Sequence, residues 1–351
     1  MIKVLIVEDS PVMQQTLEFA LKSDPEISII GIASDGIEAL ELLQRKKPDI
    51  ITMDVNMPRM NGFETTRKIM ETDPIPIVII TGSWDVQDVR TSFLAIEAGA
   101  VSILGKPKSI LDPEYDQIVK NIINTIKLMS EVKLVTRVPA REKKVEPVDV
   151  SYDHQIQKQK YELLALGAST GGPPLIYSML SQLSKQTPFP ILIVQHIAEG
   201  FTNGFRDWLD DGSNLPVHIA KDREKLLPGH VYLAPDGHQM GVNWRKEIVI
   251  TKDLPENNLR PAVSYLFRSV AETYGDKAIG VILSGMGKDG AQELKMMNDK
   301  GAFTIAQEEK SCVVFGMPKV AIELGGVDLV LTPDKIIEVI NEITHKSNRY
   351  S

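Results

Sequence analysis

Ser169, His196 and Asp289 each lie just beyond an apolar run in the C-terminal half of the chain. The runs are Leu163–Leu166, Ile191–Val194 and Ala278–Leu283. A hydroxyl, an imidazole and a carboxylate at strand ends of an α/β sheet all reach one edge of it. There they can act as nucleophile, general base and orienter. Gly167-Ala168-Ser169-Thr170-Gly171 has the form G-x-S-x-G, which exposes a serine on a strand-to-helix turn. Gly171 and Gly172 permit the tight turn, and Pro173-Pro174 suits a first helical turn. Free N–H groups at such a helix start favour an oxyanion. The same geometry can also cradle phosphate or simply turn the chain. Ser169 in place of the glycine that lets a pyrophosphate approach disfavours a dinucleotide. Thr170 offers a second hydroxyl, expected to position rather than attack. Of the six histidines, His196 directly ends an apolar strand. Asp289 could equally cap a helix beginning near Ala291. The chain order Ser–His–Asp differs from the Ser–Asp–His of the α/β-hydrolases, so the motif does not import that fold.

A second set of reactive residues occupies the N-terminal half. Glu8 and Asp9 end the first apolar run, Asp54 the third and Thr81 the fourth, and Lys106-Pro107 follows the fifth. In a parallel sheet these ends face one way, so the carboxylates converge. Clustered carboxylates repel unless a hard cation joins them, and oxygen ligands with open positions favour Mg²⁺. With the cation bound, Asp54 can attack a phosphoryl group, Lys106 can pair with it and the Thr81 hydroxyl can donate to it.

The elements that must carry these residues are readable from periodicity. Val4–Val7, Ile27–Ile32, Ile50-Ile51 and Ile77–Ile80 read as buried strands. Met13/Leu17/Ala20/Leu21 and Ile118/Ile122/Ile126/Met129 recur at helical spacing. Alternating β and α predicts a parallel sheet with helices on both faces. Residues 129–160 lose this periodicity and read as a linker with a short helix. A second α/β pattern occupies 161–346, with helices on Leu175/Met179/Leu180/Leu183 and Val263/Leu266/Phe267/Val270. The expected fold is therefore α/β, with two doubly wound parallel-sheet domains at 1–128 and 161–346.

Composition narrows the function. A chain of 351 residues is long enough for two or three domains. The net charge of −8 argues against a nucleic-acid partner, which needs clustered Lys and Arg. A basic recognition helix is also lacking. The single cysteine, Cys312, excludes an intramolecular disulfide and fits a reducing compartment. No apolar stretch approaches the roughly 18 residues that would span a bilayer. Met1–Val7 is broken by Glu8 and Asp9, unlike a secretory signal. A cytoplasmic protein without membrane insertion is expected.

The N-terminal set, with Glu8-Asp9-Ser10, Met53-Asp54-Val55-Asn56-Met57-Pro58, Gly62, Thr81 and Lys106-Pro107 in order, closely resembles a response-regulator receiver domain. That resemblance implies a flavodoxin-like fold, Mg²⁺ held by Glu8, Asp9, Asp54 and Asn56, and phosphotransfer from a histidine kinase to Asp54. Ile103 stands where many receivers carry a switch aromatic.

The C-terminal set resembles the catalytic domain of chemotaxis protein-glutamate methylesterases, the CheB family. Further matches are Gln195-His196, Gly200-Phe201-Thr202, Leu226–Tyr232, Arg260-Pro261, Gly280–Gly287 and Ser311–Pro318. It implies a Rossmann-like α/β domain in which Ser169, His196 and Asp289 form the triad and the Met286 N–H helps hold the oxyanion. The implied substrate is a glutamate methyl ester on methyl-accepting chemotaxis receptors, with glutamine deamidation by the same chemistry and no cofactor for the esterase. The receiver is expected to pack over the serine site until Asp54 is phosphorylated. Leu259 and Ser264 depart from the family's histidine and acidic residue, on what is expected to be the substrate side. A receiver-linked adaptor that has lost turnover is the alternative reading.

Overall fold

The computed structural model describes residues 1–82, 86–107, 115–132 and 160–349. Most of the predicted linker, from 133 to 159, with its short helix, lies outside the described residues. The chain divides into two compact units, Met1–Lys143 and Lys144–Ser351.

In the first unit the β-branched runs become β1 (Ile2–Val7), β2 (Ile27–Ala33), β3 (Ile50–Met53), β4 (Ile77–Thr81) and β5 (Ser102–Gly105). They pair in parallel in the order β2-β1-β3-β4-β5. Strands β3 and β4 are buried along their whole length, as a sheet covered on both faces requires. The helices are α1 (Pro11–Lys22), α2 (Gly36–Leu43), α3 (Gly62–Thr72), α4 (Val86–Glu97) and α5 (Tyr115–Ser130). Local chemistry starts three of them: Ser10, Asp35 and Asn61 accept from first-turn N–H groups. The reversal of order at β1 and β3 opens a crevice at their carboxyl ends, where Glu8, Asp9 and Asp54 follow.

The second unit holds a seven-stranded parallel sheet in the order β14-β13-β12-β6-β7-β9-β8. Its strands are β6 (Leu163–Ala168), β7 (Ile191–Gln195), β8 (Val217–Ile219), β9 (Val231–Leu233), β12 (Ala278–Ile282), β13 (Phe303–Gln307) and β14 (Leu329–Leu331). Between β9 and β12, β10 (Gln239–Val242) and β11 (Ile248–Thr251) form a two-stranded antiparallel ribbon. Periodicity does not reveal this ribbon, because four-residue strands are too short to fix a period. Both doubly wound parallel sheets are present as expected.

Helix α6 (Gly172–Gln182) follows β6, and α7 (Thr202–Gly212) follows β7. Helix α8 (Val263–Tyr274) buries Val263, Leu266, Phe267 and Val270 against the sheet. Its first residue lies so close to β6 that a Cβ on Gly167 would meet Val263 Cγ1 at 2.3 Å. This contact brings the start of α8 to the sheet edge. Helix α9 (Ala291–Asp299) follows β12, and α10 (Met317–Glu323) and α11 (Pro333–Arg349) complete the layers.

Candidate active site

Ser169 lies one residue beyond β6, the strand at which the chain reverses direction across the sheet. The pairing Ala168↔Gln195 sets Ser169 and His196 in adjacent register at the ends of β6 and β7. Three bonds hold the Ser169 backbone. Its N–H donates to Ser284 O at 3.0 Å, and its carbonyl accepts from Gly172 N–H at 2.8 Å and Gln195 Nε2 at 2.8 Å. The same Gln195 amide donates to His196 O at 2.9 Å, so one buried side chain ties the Ser169 and His196 backbones together. Gly171 takes φ +81°, and a Cβ there would meet Val313 Cβ at 2.6 Å. The turn therefore needs glycine for both conformation and space.

Asp289 reaches across from the loop after β12. Its Oδ2 accepts from His196 Nε2 at 3.0 Å and from Val263 N–H at 2.6 Å. Its Oδ1 accepts from Asn257 Nδ2 at 2.9 Å and from Ser264 N–H at 3.2 Å. The side chain is 2% exposed. Burial alone would raise its pKa, but the His196 hydrogen bond and charge, with Ser264 and Asn257, hold it below the ordinary carboxylate range. An ionised carboxylate only accepts, so His196 Nε2 must be the protonated ring nitrogen. Nδ1 is then the unprotonated ring nitrogen, able to accept a proton.

The capping alternative for Asp289 is corrected in one respect. Helix α9 has Gly290 as its cap, with no side-chain bond. Asp289 instead receives N–H groups from the start of α8, a helix that precedes it in sequence. Ser264, expected on the substrate side, is also corrected: it is 3% exposed and stands behind Asp289. Its Oγ donates to Glu293 Oε2 at 2.8 Å and accepts from Gly290 N–H at 3.0 Å.

Around the serine, the Met286 and Thr170 N–H groups make no hydrogen bond among the described residues. Met286 is 47% exposed. Gly285 packs so closely that a Cβ would fall 2.8 Å from Ser169 Cβ and 2.3 Å from Met317 Sδ. Cys312 carries no reactive thiolate; burial, then Glu308 and Glu309, push its thiol up to about 12.

In the first unit, Glu8, Asp9 and Asp54 each present an oxygen within 4.8 Å of the others. Lys106 Nζ lies 2.7 Å from Glu8 Oε2 and 2.8 Å from Asp54 Oδ2. Burial, then the Asp54 charge, push the Glu8 carboxyl up to about 7 against the pull of Lys106. Burial likewise raises Asp54, with Lys106 opposing. Two buried carboxyl groups and an exposed one form an all-oxygen donor set that fits a hard divalent cation. Asn56, exposed two residues past Asp54, stands at the same loop. Thr81 is buried at the end of β4, and its carbonyl accepts from Lys106 N–H at 2.9 Å.

A family model for the CheB methylesterase matches residues 164–340, and one for the response regulator receiver domain matches 4–112. A protein-glutamate methylesterase/protein-glutamine glutaminase of Syntrophus aciditrophicus is 50% identical over 97% of each chain. The chain belongs to the CheB methylesterase family. A relative of the same name from Nitrosospira multiformis is 49% identical over 98% of this chain and 97% of its own. The crystal structure of the Thermotoga maritima CheB methylesterase catalytic domain is similar, with TM-score 0.51 and 39% identity. It covers 53% of this chain and 100% of that one.

For this CheB-family chain, spacing alone pointed to Ser169, His196 and Asp289, but not to Gln195 as a clamp or to Asn257. An asparagine beside another asparagine carries no periodic signal. Only the clustering of turn residues at Pro255–Asn258 marked that segment as a loop.

Proposed function

We propose that this protein is a phosphorylation-activated serine esterase that hydrolyses glutamate γ-methyl esters on chemotaxis receptors and deamidates glutamine at the same site. The observation carrying the site assignment is the His196 Nε2–Asp289 Oδ2 contact of 3.0 Å, with Ser169 next to His196 in register. His196 Nδ1 takes the proton from Ser169 Oγ as the oxygen attacks the ester carbonyl. Asp289 holds the tautomer and stabilises the imidazolium. The Met286 N–H receives the developing oxyanion, with Thr170 at the helix start as a positioning group. His196 then returns its proton to the departing methoxide oxygen, or to the departing amide nitrogen of glutamine, releasing methanol or ammonia, and water clears the acyl-enzyme by the reverse proton path.

In the first unit Asp54 is the phosphoacceptor and a histidine kinase the donor. Glu8, Asp9, Asp54 and Asn56 are the residues that would hold Mg²⁺, which neutralises charge on the transferring phosphoryl group. Lys106 pairs with the carboxylates, and Thr81 is the group expected to report phosphorylation. Among the described residues, no helix is long and apolar enough to cross a membrane. The site of action proposed is the cytoplasm, on the cytoplasmic parts of receptors. No nucleic acid takes part. The adaptor alternative rested on Leu259 and Ser264; the hydrogen-bonded place of Ser264 behind Asp289 gives that residue a role in the esterase site.

Methanol release from methylated receptor membranes tests the reading, with Ser169→Ala as control. The native chain, phosphorylated on Asp54, should release methanol and the variant almost none. Equal release by both would remove Ser169 as nucleophile.

A further inference from the structure

A two-residue turn faces the back of the His196–Asp289 pair. Glu256 and Leu259 exchange backbone hydrogen bonds at 3.1 and 2.8 Å. Between them, Asn257 and Asn258 take φ +52° and +62°. Positive φ at both central residues is the type I′ geometry, which asparagine tolerates and most other side chains do not. Arg268 of α8 pairs with Glu256 at one end of this turn and lies 3.9 Å from Glu293 Oε1. The turn is thus anchored to the helix whose first N–H groups bind Asp289.

The hydrogen count around Asn257 leaves no freedom. Its Nδ2 has two hydrogens: one meets Asp289 Oδ1 at 2.9 Å and the other Ser264 Oγ at 3.2 Å. The Ser264 hydroxyl spends its single hydrogen on Glu293 Oε2, so towards Asn257 it can only accept. Both neighbours of the amide nitrogen are therefore acceptors, and the amide cannot flip without losing both bonds. The residue itself is exposed, yet the carboxylate that its amide binds is 2% exposed. A water molecule in that place would supply a donor without a fixed direction.

We propose that Asn257 is a positioning residue for the reaction: its amide, fixed by Ser264 and Glu293, keeps the Asp289 carboxylate turned so that Oδ2 faces His196. The proposal rests on the esterase reading above. The acidic group at this point is supplied by Glu293 through the Ser264 hydroxyl, from a different helix than the family pattern implies.

Two variants separate this role from a structural one. Asn257→Gly removes the donor and keeps a backbone that accepts positive φ, whereas an alanine would be strained there. Asn257→Asp keeps shape and turn but has no donor. Each should lower kcat about tenfold or more, with KM within about twofold, because one charge-assisted hydrogen bond is lost and no substrate contact is removed. In an Asp289→Asn background, Asn257→Gly should cost nothing further, since residues acting as a unit are not additive. Both methylated receptor membranes and p-nitrophenyl acetate serve as substrates. Hydrolysis of the small ester without methanol release would sink the receptor-ester reading while still judging Asn257. Retention of kcat by Asn257→Gly, a rise in KM alone, or an equal loss in the Asp289→Asn background would each overturn the proposal. If the glycine variant fails to fold, the same three outcomes in the aspartate variant decide the matter.

Discussion

Replacing Asp289 by asparagine puts an NH₂ group at a point where every neighbour is already a donor. Four hydrogens converge on the carboxylate: His196 Nε2–H and Val263 N–H on Oδ2, Asn257 Nδ2–H and Ser264 N–H on Oδ1. If the new NH₂ faces His196, the imidazole can relieve the clash by moving its proton to Nδ1. Nδ1 then becomes a donor and the proposed base is lost, while Val263 N–H stays opposed. If the NH₂ faces the other way, Asn257 can meet it only by flipping and giving up its Ser264 bond, Ser264 N–H stays opposed, and a neutral amide no longer stabilises the imidazolium. Either orientation orphans one buried backbone donor, a cost of about 1–3 kcal/mol in stability. The tautomer change costs on the order of 10⁴ in kcat, the size seen for the equivalent change in serine proteases. Methanol release measures the first effect and urea unfolding the second. A folded Asp289→Asn variant within tenfold of the native rate would refute the orienter role. An unchanged unfolding free energy would refute the count of donors.

Other consequences are smaller in scope. Gly285→Ala should push Ser169 out of line, because the new methyl falls 2.8 Å from Ser169 Cβ; a misplacement near 1 Å costs about 10²-fold in kcat. Native activity in that variant would show that the serine backbone yields. Glu8 titrates near 4.5 in the unfolded chain and at about 7 in the folded one. The folded state therefore binds the extra proton between those values, and stability falls as pH rises through this window, by roughly 3 kcal/mol in full. Mg²⁺ should restore it above pH 7. A Glu8→Gln variant that loses stability over the same window as the native chain would remove Glu8 as the source. Deleting residues 1 to 155 should raise basal esterase activity. A folded fragment that is no more active would rule out restraint by the receiver.

The apolar runs by themselves determined the parallel sheets, because long β-branched segments between amphipathic helices have few other ways to bury both faces. The strand ends followed from the same pattern. Ser169, His196, Asp289 and the Glu8–Asp54 carboxylates could therefore be named from position alone. The partners of those residues could not. Asp289 binds the first N–H groups of α8, whose sequence lies 25 and 26 residues away, and not those of the adjacent helix α9. Asn257 enters the site through a turn with two positive φ angles, and Glu293 acts through Ser264 from another helix. Such contacts depend on how closely α8 can approach Gly167 and on which hydroxyl spends its one hydrogen where. Local propensity and periodicity carry no information on either, because both are set by side chains meeting across elements distant in the chain.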